Sequence, residues 1–289
     1  MLLFFSGGEN MKLALSSDNH LDINRVDEAQ VLVAQAQYLV KHGIDYYLFL
    51  GDMYNDFTKT VAFIHRLQTQ VAGRVQIRYL LGNHDMLKNI SYPHVDNFQD
   101  PLYLHGKIED LPYSNVRLIG NNGWYDYSFS RNYSQQEIRR WKNVFWVDGA
   151  IDQNISDIQR ENRTLTVVKK QLIQAQADHK KVFFVTHFAP QEANLWRRST
   201  QAEVSDKMAR HYEMMRAMYG SQRLGNLLQE YANVKWVGYG HLHGQHADLT
   251  LGPTSYYHVA VGVKKKRRNE WQAPTFMAQW QKQLQVFDI

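Results

Sequence analysis

The sequence predicts an α/β protein, and three observations carry that prediction. Apolar runs typical of buried strands alternate with segments of helical periodicity. Glycine and aspartate stand where the helical segments should end or begin, and polar residues gather where the apolar runs end. This alternation is typical of a sheet whose faces are covered by helices.

The elements of the first part of the chain follow in order. "KLALSSD" predicts a buried strand, and the next segment predicts a helix that Gly43 terminates. That helix has its apolar face at Leu32, Ala36, Leu39 and Val40. "YYLFLGD" predicts a second strand, Asp56 the cap of a second helix, and "VQIRYLLGNHD" a third strand.

The later part of the chain predicts three more buried strands, "VRLIGNN", "KVFFVTH" and "VKWVGYG". A polar, aromatic and helical stretch over residues 121–180 separates the first two, and helices over 203–218 and 222–231 precede the third. Strands of a half-exposed sheet are then predicted by a period of two at Tyr257, Val259, Val261 and Val263. We see no internal repeat or linker, so we expect one domain over residues 1–289 with 121–180 as an insertion.

Composition excludes several classes of site. The chain has no cysteine, which excludes a disulfide framework, a thiol nucleophile and Cys-ligated zinc. The formal net charge of +5 suits an anionic substrate but does not by itself indicate nucleic acid. "MLLFFSGGEN" is too short an apolar start for a secretory signal, and no segment resembles a membrane span. We expect a cytoplasmic protein without membrane association, in which residues 1–10 are a flexible extension or precede a natural start at Met11.

Five of the predicted strands end in carboxylate, amide or imidazole groups, in "SDNH", "GDMYND", "GNHD", "THFAP" and "GYGHLHG". Ligands gather at the carboxyl ends of strands in open α/β sheets, so these groups could converge. Each has an ordinary explanation alone, because an Asp after Gly is usually a turn residue and an isolated His is usually not a ligand. Together they have the composition of a centre for two metal ions. Imidazole and carboxylate suit Mn, Fe, Zn or Ni better than Mg or Ca.

This series of motifs, in this order, resembles the calcineurin-like metallophosphoesterase superfamily, and the resemblance extends from Asp18 to His243. It implies two mixed β-sheets packed as a sandwich and flanked by helices. It also implies two divalent transition-metal ions, with manganese favoured, and hydrolysis of a phosphate ester by metal-activated water.

Carried over residue by residue, the resemblance assigns seven metal ligands. The first ion would be bound by Asp18, His20 and His243, both ions would be bridged by Asp52, and the second would be bound by Asn83, His187 and His241. His84 would protonate the leaving alkoxide or stabilise the phosphoryl oxygens. Asp85 would orient the imidazole of His84.

Two further features bear on the substrate. Trp124, Tyr125 and Tyr127 follow a strand and are expected to stack on a planar leaving group, although a packed aromatic loop would give the same pattern. The basic run Lys264–Arg268 is typical of a solvated loop but could attract a polyanion.

The leading hypothesis is hydrolysis of a small or medium phosphate ester, a phosphodiester or nucleotide-like compound. "GDMYND" and "GNHD" depart from the "GDxVDRG" and "GNHE" usual in protein Ser/Thr phosphatases, which disfavours that class. Mre11-like nucleases share "GNHD" and "GHLH" but usually carry a further DNA-binding region, so nucleic acid is a less favoured substrate. A metal-free binding scaffold is the third possibility, and the intact ligand positions argue against it. The sequence makes no prediction of oligomeric state.

Overall fold

The computed structural model describes residues 11–195 and 205–289. In chain order, the strands of these residues are β1 (Lys12–Ser16), β2 (Tyr46–Leu50), β3 (Gln76–Leu80), β4 (Lys107–Asp110), β5 (Val116–Gly120), β6 (Lys181–Val185), β7 (Val234–Tyr239), β8 (Leu249–Leu251), β9 (Thr254–His258), β10 (Lys264–Lys265), β11 (Arg268–Asn269) and β12 (Gln285–Asp288). The expected extension over residues 1–10, and residues 203–204 of a predicted helix, lie outside the described residues.

The helices of the described residues alternate with these strands. They are α1 (Leu21–Asn24), α2 (Glu28–Lys41), α3 (Phe57–Gln70), α4 (Tyr92–Asn97), α5 (Gln135–Phe145), α6 (Asp157–Ala177), α7 (Asp206–Arg216), α8 (Gln222–Gln229) and α9 (Phe276–Gln283). In this part of the chain, none of them combines the length and the apolar character needed to cross a bilayer.

The strands form two mixed sheets and one short hairpin. The first sheet has the order β12–β1–β2–β3, in which β12 is antiparallel to β1 and the other neighbours are parallel. The second has the order β4–β5–β6–β7–β9–β8, with parallel inner strands and an antiparallel strand at each edge. The hairpin pairs β10 with β11. The predicted fold class, two mixed sheets flanked by helices, is confirmed.

A buried apolar layer lies between the two sheets. It includes Leu15, Leu48 and Leu50 from the first sheet and Phe183 and Val185 from the second. Helices α2, α3 and α9 cover the outer face of the first sheet, and α6 and α8 cover that of the second. Full burial of each such side chain stabilises the fold by about 1.5–3 kcal/mol. Both sheets are therefore fixed in place, and the ends of their parallel strands emerge along one edge.

Local signals in the sequence position the helices that cover the first sheet. The Asp56 carboxylate accepts a hydrogen bond from the Lys59 backbone N–H at 3.1 Å and caps α3, as predicted. Helix α2 ends just before Gly43, which has a φ of +64°. A left-handed backbone after a helix is a position that glycine occupies without strain.

The predicted half-exposed strand over Tyr257–Val263 is shorter than its period of two indicated. Strand β9 ends at His258, and residues 259–263 are all buried. The Ser17 N–H donates to the Val259 carbonyl at 3.0 Å, and the Val261 N–H donates to the Ser17 carbonyl at 2.9 Å. The valines alternate with small residues because this segment runs from one sheet to the other and joins them.

Candidate metal centre

The seven predicted ligands follow five different strands and meet where the two sheets are joined. Asp18 and His20 follow β1, Asp52 follows β2, Asn83 follows β3, His187 follows β6, and His241 and His243 follow β7. Six of the seven, with His84, form groups whose ligand atoms lie within 4.8 Å of one another: Asp18, His20 and His243; His20, Asp52 and His84; and Asp52, His187 and His241. Asn83 joins them through its contact with His187. The structure therefore brings together all the strand-end motifs that the sequence predicted to converge.

One end of the centre is formed around Asp18. Its Oδ1 lies 3.3 Å from His243 Nε2 and 3.7 Å from His20 Nε2, and these two nitrogens are 2.9 Å apart. Asp18 Oδ2 accepts a hydrogen bond from the His241 N–H at 2.9 Å. One carboxylate oxygen thus positions the backbone while the other faces two imidazoles.

Asp52 lies between the two ends. Its Oδ2 is 3.7 Å from His20 Nε2 on one side and 3.4 Å from His187 Nε2 on the other. The same His187 Nε2 lies 3.3 Å from Asn83 Oδ1. A carboxylate in this place can contact two cations at once, which is the geometry that a bridging ligand requires.

Backbone carbonyls set the orientation of two imidazoles. His187 Nδ1 lies 2.8 Å from the Leu50 carbonyl, and His241 Nε2 lies 3.1 Å from the Met218 carbonyl. A carbonyl can only accept, so each of these ring nitrogens carries the hydrogen. The opposite nitrogen of each ring is left to bind a metal ion.

The backbone of the centre is strained at four of the predicted ligands. Asp18, His20, Asp52 and His241 have positive φ values of 56°, 43°, 63° and 65°. Non-glycine residues seldom adopt this conformation, which costs about 1–3 kcal/mol and is concentrated at functional sites. The rest of the fold compensates this cost to hold these four side chains in place.

Gly82 permits the close approach of two ligands from different sheets. A Cβ at this position would collide with Asp52 Oδ1 and with the imidazole of His187. Any larger residue would push these two ligands apart, which explains the glycine that precedes Asn83.

The electrostatics of the centre are those of carboxylates surrounded by imidazoles. Burial acts to raise the pKa of Asp18, but the facing imidazoles of His20 and His243 outweigh it and hold the pKa well below its usual range. Burial also acts to raise the pKa of Asp52, and the charge of His187 lowers it instead. The pKa of His187 is raised to about 9, because its attraction to Asp52 outweighs its burial.

The residues fit a pair of divalent cations. Asp18 Oδ1 is buried and accepts no hydrogen bond, although it faces two imidazole nitrogens. Carboxylate, amide and imidazole groups converge here. These donors suit Mn, Fe, Zn or Ni.

Comparison with known proteins identifies the family. A sequence model of calcineurin-like phosphoesterases matches residues 11–245. The chain belongs to the calcineurin-like phosphoesterase family. The protein is accordingly a phosphoric ester hydrolase, and the family implies two divalent metal ions. No curated protein matches this chain.

Two solved structures support the same fold. The phosphopantetheinyl hydrolase of Mycobacterium tuberculosis has a TM-score of 0.67 and 15% identity, over 98% of this chain and 96% of its own. A dimetal phosphatase from Danio rerio has a TM-score of 0.51 and 13% identity, over 88% of this chain and 87% of its own. At these identities the likeness concerns the fold alone.

The imidazole of His84 lies beside the predicted ligands, in one group with His20 and the Asp52 carboxylate. Its ring centroid is 4.7 Å from that of His20, and its backbone N–H donates to Asp52 Oδ1 at 2.9 Å. His84 Nδ1 lies 2.6 Å from Asn55 Oδ1. Burial lowers the pKa of His84 to about 4, so in the metal-free protein its ring is neutral near pH 7.

Asp85 does not make the contact with the His84 imidazole that the sequence analysis expects, and Asn55 makes it instead. The Asp85 carboxylate is fully buried and faces the backbone of the neighbouring loops. It accepts hydrogen bonds from the N–H groups of Asp52, Met53 and Gly82 and from the Thr60 hydroxyl, at 2.6–3.0 Å. Its burial raises its pKa to about 6. Asp85 therefore fixes the loop that carries Asp52 rather than the ring beside it.

The structure also contradicts the prediction that Trp124, Tyr125 and Tyr127 stack on the substrate. Trp124 and Tyr125 are completely buried, and Tyr127 is 6% exposed. The Trp124 indole N–H donates to Asp157 at 2.8 Å, and Tyr127 also bonds that carboxylate. Their faces are covered by the protein, because the segment between β5 and β6 folds back over them. These residues belong to the core.

Two carboxylates that support predicted ligands have no motif in the sequence. Glu270 Oε2 lies 3.0 Å from His243 Nδ1, on the side of the ring away from Asp18. Asp148 Oδ1 accepts a hydrogen bond from Asn83 Nδ2 at 2.7 Å, which leaves the amide oxygen toward the centre. Both contacts join residues far apart in the chain, and no local pattern could have found them. Asn55 did carry a signal, as a polar residue within "GDMYND".

Proposed function

We propose that this calcineurin-like phosphoesterase hydrolyses phosphodiesters at a centre for two divalent cations. The observation that carries the proposal is the place of Asp52, whose carboxylate lies between two groups of nitrogen and oxygen donors. When bound, the two ions supply a hydroxide near neutral pH and stabilise the charge that develops on the phosphoryl oxygens.

The residues of the centre take the roles that the family resemblance implies. The ions would be held by Asp18, His20 and His243 at one position, by Asn83, His187 and His241 at the other, and by Asp52 between them. His84 donates a proton to the departing oxygen. Asn55 Oδ1 accepts from Nδ1 in the neutral and in the charged ring, so Nε2 is the nitrogen that would take up and give the proton.

The charges near the centre favour diesters over monoesters. In the described part of the chain, the ion pairs of Asp18 and Asp52 are all with histidines, without lysine or arginine. A monoester carries one more negative charge than a diester at neutral pH, and within the described residues these carboxylates pair with no lysine or arginine that could attract the second charge. A nucleotide-like diester carries only the single charge. Because Trp124, Tyr125 and Tyr127 are buried, they do not support binding of a nucleotide base.

The test compares two esters that release the same p-nitrophenolate, the bis(p-nitrophenyl) diester and the p-nitrophenyl monoester. We expect about two metal ions per chain, activity that a chelator abolishes and Mn²⁺ restores, and faster hydrolysis of the diester. Asp52→Ala should lose both ions and activity, because it removes the shared ligand. Faster monoester hydrolysis would contradict the preference for diesters. Absence of both metal and activity would favour the metal-free scaffold.

A nuclease is the second candidate, and the position of the β10–β11 hairpin favours it. The Lys264 backbone N–H donates to Asn24 Oδ1 at 2.8 Å, which places the hairpin beside the loop that carries His20. Lys265, Lys266 and Arg267 are exposed there. If this hairpin binds phosphates, affinity for DNA should fall steeply with salt, and neutralising the three exposed cations should abolish cleavage. Unchanged affinity would exclude a role for the hairpin in DNA binding.

Manganese is the ion we favour, on the resemblance and on the donor chemistry. Metal analysis of protein purified without added metal tests this choice. If another ion is bound, that ion and not manganese is the cofactor. The cytoplasmic location expected from the sequence stays a prediction.

A further inference from the structure

A row of aromatic rings leads away from one end of the metal centre. The ring centroids of His241 and Tyr219 are 6.2 Å apart, those of Tyr219 and Trp146 are 6.3 Å apart, and those of Trp146 and Trp141 are 6.3 Å apart. Tyr219, Trp146 and Trp141 are each half-buried, so part of each side chain reaches solvent. We call these three residues the aromatic wall.

A hydrogen-bond chain fixes the aromatic wall to a second ligand of the same metal position. The Trp146 indole N–H donates to Asp148 Oδ2 at 3.0 Å, and Asp148 Oδ1 accepts from Asn83 Nδ2 at 2.7 Å. Trp146 is therefore two hydrogen bonds from Asn83 and one ring from His241. Both contacts place it beside the position assigned to the second ion.

The aromatic wall continues into exposed apolar surface at the end of α5. Val144, Phe145 and Val147 are 72%, 68% and 42% exposed, and the Phe145 ring centroid is 5.6 Å from that of Trp141. On the far side, Trp141 contacts His211 of α7 at 5.4 Å between ring centroids. Single exposed apolar residues are ordinary, but several together beside a site mark a binding surface.

We propose that the aromatic wall binds the organic group of the ester substrate, and that this group is planar and apolar. The proposal rests on the proposed function, since it assigns a part of the substrate to the surface beside the same centre. The occupant is the group bound to the phosphate, because the wall begins at the ligands themselves and extends outward from them. A planar group on these rings gains both apolar burial and favourable ring packing. The wall, rather than Trp124 and its neighbours, thus stacks on a planar group of the substrate, here the ester group that remains on the phosphate.

The test uses two phosphodiesters with the same leaving group and the same charge, phenyl p-nitrophenyl phosphate and methyl p-nitrophenyl phosphate. Wild-type protein should favour the phenyl ester in kcat/KM by about 5- to 10-fold, as expected for an aromatic contact of about 1–1.5 kcal/mol. In Trp146→Ala and Tyr219→Leu the ratio should fall to within about twofold. Metal content and turnover of the methyl ester are measured in each variant, so that its ratio is compared with its own baseline. Tyr113→Ala removes an exposed ring elsewhere and should leave the ratio unchanged.

Two variants are needed because one of them could alter metal binding as well as the aromatic wall. Trp146→Ala also removes a hydrogen bond to Asp148, so a loss of metal in this variant alone would make Tyr219→Leu decisive. An unchanged ratio in Tyr219→Leu with full metal content would overturn the proposal, as would a wild-type ratio near one.

Binding of phenylphosphonate and methylphosphonate to Mn²⁺-treated protein, measured by calorimetry, needs no turnover. If wild type hydrolyses neither ester, the proposed function fails. The aromatic wall still stands if phenylphosphonate binds more tightly and the variants lose that difference, and it fails if the two ligands bind equally.

Discussion

The imidazole of His84 illustrates how one hydrogen bond can define a residue's chemistry. Asn55 Oδ1 accepts from Nδ1 at 2.6 Å, whether the ring is neutral or charged. An aspartate there would hold the charged ring more strongly and make proton release harder. A neutral amide orients the ring and leaves Nε2 free to gain and lose a proton.

Removal of this imidazole should separate chemistry from metal binding. His84→Ala should keep about two ions per chain while kcat falls by about 10²–10⁴, the usual contribution of a general acid. The loss should be larger for an alkyl ester than for a p-nitrophenyl ester, since a good leaving group needs little protonation. Steady-state kinetics with metal analysis check this, and loss of metal together with activity would place His84 among the ligands.

Glu270 should tune one of the two ions through His243. The carboxylate lies 3.0 Å from Nδ1, and with Asp18 it raises the pKa of His243 to about 10 against the effect of burial. Glu270→Gln should weaken binding of one ion by about 10- to 100-fold, the usual effect of losing such support, and leave the other ion in place. Calorimetric titration with Mn²⁺ gives both affinities.

Glu109→Gln is the matched control for Glu270→Gln. Glu109 belongs to a half-buried ion pair with Arg78 on another part of the molecule, so its loss should leave both affinities unchanged. Equal affinities for wild type and Glu270→Gln would show that Glu270 is only a structural contact.

At the scale of elements, the Asp157 carboxylate connects several parts of the segment between β5 and β6 by hydrogen bonds. Asp157 begins α6 and accepts two hydrogen bonds from Lys142 Nζ, at 2.7 Å and 2.9 Å, in addition to those from the aromatic core. Both side chains are almost completely buried, with 6% of Lys142 and 2% of Asp157 exposed. The pair joins α5, which leads to the aromatic wall, to the rest of the fold.

Loss of this charge should therefore destabilise the fold. Asp157→Asn leaves the Lys142 charge buried without its partner, which typically costs about 3–5 kcal/mol. Burial acts to raise the pKa of Asp157, but Lys142 outweighs it and lowers the pKa below its ordinary 3.8. The stabilisation is therefore present above about pH 3.8 and is lost as the pH falls through the folded-state pKa. Urea unfolding at several pH values checks both points.

Two outcomes of that experiment would contradict the prediction. A difference of less than about 1 kcal/mol at neutral pH would mean that Lys142 finds water or another partner. A difference that grows on acidification would have the wrong sign. The double variant Lys142→Met with Asp157→Asn should recover much of the loss, since it buries no charge and keeps a side-chain oxygen to accept from the Trp124 indole N–H.

Features that depend on a few neighbouring residues were predictable from the sequence, and contacts between distant residues were not. The strands and their polar ends were readable because periodicity and turn chemistry act over a few residues, as at Asp56 and Gly43. The aromatic run at Trp124 was misread because a ring that packs in a core and a ring that binds a substrate give the same letters. Glu270 and Asp148 could not be found, since their partners are distant in the chain and only the closed fold brings them together.

At the scale of the whole molecule, metal binding and protonation should be coupled. The raised pKa values of His187, about 9, and His243, about 10, mean that both rings are protonated near pH 7 when no metal is bound. Metal ions need the neutral rings, so binding must release protons. Apparent affinity for Mn²⁺ should therefore rise between about pH 6 and pH 8. Calorimetry in buffers of different ionisation heat measures the protons released, and equal heats in all buffers would contradict the prediction.

The antiparallel pairing of β12 with β1 has a consequence for the order in which the protein can be completed. A ribosome adds about 5–20 residues per second, so β1 is synthesised long before the strand that covers its open edge. Until then, the Lys12–Leu15 edge of the first sheet offers free N–H and C=O groups to any other strand. Closure must wait for a contact between distant parts of the chain, which makes it a slow step. The first sheet therefore keeps an edge that is exposed to aggregation from the synthesis of β1 until β12 pairs with it.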